Sequence, residues 1–194
     1  MVIIIKIINL LEAFKYPFKA PKKLLYGLLL LVPIFGWLVL LGYIVKLINE
    51  FVDGRYDEPI DLYLIEDLKL GISIFLKALP FYIAYSIVIF VATYVSETLG
   101  HLIAFLLAFF VIPMLMINFF RKQTIESFFE FYILNVVKDN IRDYIVTVLK
   151  QSALEIVFAI LSIVLIGIPA TILTSSIFIA NFYGRCVEQK RILT

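Results

Sequence analysis

The chain has 194 residues, of which 63% are apolar and only 16% charged; its mean hydropathy is +1.04 and its formal net charge +2. A soluble domain is about half apolar and a quarter charged, and a water-soluble fold of this length has no way to hide so much apolar surface. The composition therefore excludes an ordinary soluble domain and reads as a single integral membrane domain, 1–194, while the lack of a basic cluster interleaved with aromatics argues against nucleic acid as a partner.

Lys6, Asn9, Glu12 and Lys15 recur every three residues among Val2, Ile3, Ile5, Ile7, Ile8, Leu10, Leu11 and Phe14. This spacing predicts a helix over residues 1–15, too short between charges to span and suited to the membrane interface. The start of the chain has no positively charged leader region and no Ala-x-Ala-like site, so no cleavable signal peptide is expected. Pro17 and Pro21 then break the helix, and Lys15, Lys19, Lys22 and Lys23 mark a cytoplasmic border by the positive-inside rule.

Residues 24–45 are 22 uncharged positions with Pro33 and Gly36 in the middle, either one kinked span or a re-entrant hairpin. Residues 46–52 are expected to carry that helix on into water. Residues 53–59 are the clearest loop; their acids lack the spacing of a calcium loop and read as a solvated connector. Residues 60–77 are amphipathic and predicted to run straight into the next apolar run as one long helix.

Two runs without Lys, Arg, Asp or Glu follow, 78–96 (19 residues) and 98–120 (23 residues). About 20 apolar residues cross the ~30 Å hydrocarbon core of a bilayer. Between the runs stand Glu97, Thr98, Leu99, Gly100 and His101. The pattern predicts a central helical hairpin turning at 97–101.

Residues 124–150 carry the strongest amphipathic pattern. Ile125, Phe128, Phe129, Ile133, Val137, Ile141, Tyr144 and Val148 step by three and four, while Lys138, Asp139, Arg142, Asp143 and Lys150 share one arc. One helix with a wet face is predicted, along the membrane surface or beneath the spans. Residues 156–184 are 29 uncharged positions broken by Gly167, Ile168 and Pro169; as one straight helix they would run about 43 Å, more than the core needs. Small residues from Thr171 to Ala180 favour close helix packing, and Arg185, Lys190 and Arg191 close the chain with positive charge.

Of the 17 Lys and Arg residues, five precede Leu24, four lie in 46–77, five in 121–150 and three after Gly184. The connector 97–101 carries none and is the best candidate for the outer side. Both termini are then cytoplasmic, and 24–45 and 156–184 must each enter and return; four kinked full spans are the rival arrangement.

The expected class is all-α: a polytopic transmembrane helical bundle with a central helical hairpin, two Pro/Gly-broken membrane segments and interfacial amphipathic helices. Glu97 and His101 are four apart and share a helix face, which raises a proton relay or metal half-site. An interfacial turn pair is the simpler reading, because no second His exists and the single Cys186 completes no metal set. Asn118 and Asn181 lie in apolar runs, where amides bond between helices or line a solute path. No phosphate loop, Ser/His/Asp set or carboxylate pair is visible. No catalytic, cofactor or metal residue is therefore assigned. Cys186 alone also excludes an intrachain disulfide framework.

The run Phe14-Lys15-Tyr16-Pro17-Phe18, then Leu25-Tyr26-Gly27, Val32-Pro33-Ile34, Gly42-Tyr43, Asp57-Glu58-Pro59, Leu68-Lys69-Leu70-Gly71 and Phe182-Tyr183-Gly184 resembles the membrane-protein family catalogued as domain of unknown function 4013, whose members are mainly archaeal. The chain departs from that pattern after Pro59, where Ile60-Asp61-Leu62-Tyr63-Leu64 has no tryptophan. The resemblance implies a membrane location and carries over no catalytic residue. The function expected from the sequence is that of a structural, accessory or interaction protein of the cell membrane, with lipids, other membrane proteins or a second copy as partners. A small-solute or ion transporter or channel component is the alternative.

Overall fold

The computed structural model describes residues 5–188, and the chain is all-α in them. The predicted positions 1–4, Lys190 and Arg191 lie outside the described residues. The helices are α1 (Leu10–Lys15), α2 (Phe35–Val52), α3 (Leu64–Val95), α4 (Glu97–Leu106), α5 (Ile112–Lys122), α6 (Ile133–Asp139), α7 (Ile141–Leu161), α8 (Gly167–Leu173) and α9 (Ile177–Tyr183). Four helical stretches are long and apolar enough to cross a membrane: Phe35–Val52, Leu64–Val95, Glu97–Lys122 and Ile141–Leu161.

Three antiparallel hairpins organise the chain. In the first, Pro21–Leu31 forms a tight 3-10 helix that folds back along α2. The reversal sits at 32–34, where Ile34, after Pro33, holds a positive φ of 64°. The Tyr26 ring meets the Tyr43 ring edge-on at 5.5 Å, and Trp37 Nε1 donates to Leu30 O at 3.2 Å. Lys23 and Lys46, at opposite ends of the segment, both reach Asp61, its carboxylate at 2.9 Å and its carbonyl at 3.5 Å respectively. The apolar run 24–45 thus folds back on itself at 32–34 and is not one continuous kinked helix.

The second hairpin is the long pair α3 and α4–α5. As expected, the amphipathic stretch and the first apolar run are one helix, 32 residues long. The turn is tighter than the predicted 97–101: Ser96 alone is extended (φ −162°, ψ 131°), and Glu97 already opens α4. Gly100 is helical and packs on Thr93 across the seam. A wide turn at 107–111 and Pro113 then bend the returning chain into α5, in keeping with the usual causes of helix bends.

The third hairpin returns α7 through α8 and α9. Its reversal sits at 162–166, with Leu165 at φ 61°, ahead of the expected break at 167–169, which lies inside α8. Pro169 falls in the first turn of α8, where a missing N–H costs little. Gln151 on α7 accepts from Phe178 N–H at 3.2 Å, and Arg185 pairs with Asp143 at 3.0 Å, which fixes the antiparallel register.

The core lies where the hairpins meet. Every residue of α9 is buried, against α2, α5 and α7. Helices α2 and α3 cross at Gly42 and Gly71, both buried, where the backbones touch.

Three sequence expectations are corrected by this packing. Residues 46–52 do not extend into water: Leu47, Ile48, Phe51 and Val52 are at most 1% exposed, because α9 and Tyr16 cover them. The single amphipathic helix over 124–150 is three pieces, Ile125–Phe129, α6 and α7, the last continuing to Leu161. Phe128 leaves helical register to stack between Phe81 and Phe119, at 4.3 and 4.0 Å. Of the helix expected over 1–15, the described residues hold only α1, started by a capping box in which Asn9 and Glu12 exchange side-chain bonds. Residues 5–9 ahead of it are not helical and bury Ile8.

Candidate functional site

The polar groups of the fold gather where the three hairpins join. Arg121, near the end of α5, bonds Asp53 at 2.7 Å and Asn49 at 3.3 Å, and faces Glu188 at 3.7 Å. Asn49 donates to Val45 O and Phe120 O, tying α2 to α5. Lys77 donates to Gln123 O at 3.0 Å. Lys46 faces the fully buried Asp67 at 2.5 Å, and the other Asp67 oxygen accepts from Tyr63 N–H ahead of α3.

Asn118 and Asn181 are the two buried nodes. Asn118 is fully buried; its Oδ1 accepts from Tyr183 OH at 2.7 Å, and its Nδ2 donates to Ser127 O at 2.7 Å and Glu130 at 2.8 Å. Glu130 also pairs with Lys122 and accepts from Tyr132 OH. Asn181 donates to Lys6 O and to Tyr56 OH, and its Oδ1 accepts from Arg185 Nε at 3.1 Å. Each amide therefore has both side-chain ends engaged by protein groups, and each ties α9 to another part of the fold. Their bonding joins elements, the role such amides commonly serve between membrane helices.

Glu97 and His101 are not part of this cluster. They stand on the first turns of α4 at the tip of the long hairpin, 3.7 Å apart, with side chains 85% and 79% exposed. They share a helix face, as their spacing of four implies, but they sit on a helix and not in the turn itself. Between them and the buried nodes lies the apolar hairpin arm, so the structure brings Asn118 and Asn181 into one body and leaves Glu97 and His101 apart. No group of three or more His, Cys, Asp or Glu residues suited to a metal ion occurs among the described residues.

No family model, curated protein or solved structure matches this chain. The geometry of its own residues is thus the ground for any functional reading.

Several polar positions in this cluster were not singled out from sequence. Tyr183, Tyr56 and Gln151 look like ordinary members of apolar or amphipathic stretches, and only their burial with a directed partner distinguishes them. A buried hydroxyl or amide needs such a partner. Burial pushes the Tyr56 hydroxyl up to about 12, against the opposing pull of Asn181 and Arg185. Burial also acts to raise the Glu130 carboxyl, but the hydrogen bonds from Lys122, Asn118 and Tyr132 outweigh it and hold the group below the usual carboxylate range.

Proposed function

We propose that this chain is a multi-pass protein of the cell membrane with both termini on the cytoplasmic side, and that it acts as a structural or interaction component. Its partners are membrane lipids and other membrane proteins, a second copy included. The observation that carries the reading is the arm of the long hairpin. Ile83, Ile87, Phe90, Val91, Tyr94 and Val95 on α3, and Leu102 and Phe105 on α4, are all exposed. No Lys, Arg, Asp or Glu interrupts either leg between Lys77 and Glu97 or between Glu97 and Arg121. Exposed apolar surface of this extent marks a membrane or protein contact.

The polar groups support the same reading from the other side. In a solute pathway, intramembrane polar groups face a water-filled cavity; here the buried amides face protein partners. The resemblance to the domain of unknown function 4013 family belongs to this proposal as well, resting on the motifs from Phe14 to Gly184 named above.

The test is purification from native membranes in a mild detergent, with identification of co-purifying proteins and lipids, beside a flux assay on the protein in sealed vesicles. Reproducible recovery of membrane partners and no solute or ion flux above empty vesicles is the expected result. Flux that disappears on changing Asn118 or Asn181 would replace this reading with transport. Single cysteines at 53–58 and at 97–101 check the topology: only the second set should react with an impermeant reagent added outside.

A further inference from the structure

The first and third hairpins lie side by side near their tips and leave a groove between them. One wall is the 3-10 helix Pro21–Leu31; the other is the reversal and first turn around Leu165–Pro169. Gly27 lies against Pro169 with no room for a side chain, which closes the floor. The cavity is about 380 Å³ and lined only by apolar residues, within the size range of sites that hold small ligands.

The 3-10 wall has an unusual length. Runs beyond three or four residues are uncommon, because residues three apart eclipse one another; this one runs for 11. Eclipsing has a consequence for the surface. Lys22, Leu25, Leu28 and Leu31 fall in one row, all exposed, with the three leucines lining the groove. At about 2.0 Å rise per residue the row is about 18 Å long, close to the roughly 15 Å depth of one leaflet's hydrocarbon. It begins with a lysine and is apolar thereafter. Neighbouring Lys23 is taken up by Pro59 O and Asp61, while Lys22 is the exposed cation at the head of the row.

We propose that this groove holds one acyl chain of an anionic phospholipid, with the lipid phosphate at Lys22. The proposal rests on the membrane reading above. A cation followed by a leaflet-deep apolar row, faced across a gap by Leu165 and Ile168, matches the charge and chain of such a lipid.

Trp37 is the only tryptophan in the chain, and its indole bonds Leu30 O beside the groove. Trp37 is itself exposed, so a chain seated in the groove adds a saturable part to the quenching by surrounding lipid. The full-length protein is reconstituted in vesicles, and phosphatidylglycerol or phosphatidylcholine with brominated chains is added in increasing mole fraction. The expected result is a saturable quenching component that favours phosphatidylglycerol about fivefold, as one lysine near a membrane surface provides. Lys22→Glu should abolish the preference and keep the quenching. Ile168→Phe, which fills the groove, should remove the saturable component and leave the linear one. Equal, linear quenching by both lipids in the parent and both variants overturns the proposal, whether the groove is empty or covered by another protein. No quenching by either lipid overturns it as well, and separately shows that the membrane reading of this hairpin has failed.

Discussion

The crossing of α2 and α3 offers the sharpest test of the fold. A Cβ built on Gly71 would collide with Leu38 O and lie 2.7 Å from Leu38 C; one built on Gly42 would collide with Asp67 O and lie 2.8 Å from Asp67 C and 2.9 Å from Gly71 N. The obstacles are backbone atoms of two helices, which have no rotamer by which to move aside. Overpacking costs about 1–3 kcal/mol, and a clash with main chain belongs at the upper end. Alanine recovers about 1 kcal/mol in helix propensity over glycine. Gly71→Ala should therefore lose about 2 kcal/mol net, roughly a 30-fold fall in the folded to unfolded ratio. The assay is unfolding in mixed micelles by increasing dodecyl sulfate, followed by far-ultraviolet circular dichroism, with the exposed Ser86→Ala as control. The double variant Gly42→Ala/Gly71→Ala should cost less than the two singles summed, since either one already opens the same gap. A Gly71→Ala protein as stable as the parent, or more so, would refute the close crossing.

The buried nodes give further outcomes in the same assay. Asn118→Ala strands the Tyr183 hydroxyl and removes a donor from Glu130, and should cost about 1–3 kcal/mol; Tyr183→Phe should cost less, since Asn118 keeps its other bonds. Lys46→Met leaves the buried Asp67 carboxylate without its ammonium and should destabilise more than Lys46→Met combined with Asp67→Leu, because an unpartnered buried charge is worse than none. The Glu130 carboxyl is held below its ordinary value in the fold, so its contribution is complete above the unfolded value of about 4.3. That contribution is lost as pH falls through the lower folded value; stability of the parent relative to Glu130→Gln, measured from pH 7 downward, should decline only in that acid range. Alanine at Glu97 and at His101 should leave the unfolding curve unchanged, since both side chains are exposed and their pair is loose.

Local composition was enough to identify the hydrocarbon-length runs of the central hairpin and to join residues 60–77 to the first of them, because both depend on signals within one stretch of chain. For 24–45 and 156–184 the charges at both ends left a return path and a kinked span both open; that each run folds back on itself is seen only in the structure. The candidate site was legible only in part. Asn118 and Asn181 stand out as amides in apolar runs, whereas Tyr183 and Tyr56 meet partners 65 and 125 positions away, Gln151 meets one 27 away, and Asp67 is buried in a way that periodicity does not report.

The amino-acid sequence alone thus determined the apolar character of this protein, its helical class and its central hairpin, since apolar length and charge act locally. Tertiary structure decided the rest. It placed residues 46–52 under α9 instead of in water, broke the amphipathic 124–150 stretch so that Phe128 stacks between two other rings, and set Lys22 at the head of a leucine row. For residues 46–52 and for Phe128, burial against partners such as α9 and Phe81 outweighed a local preference worth a few tenths of a kcal/mol per residue, and a local window of sequence does not contain those partners.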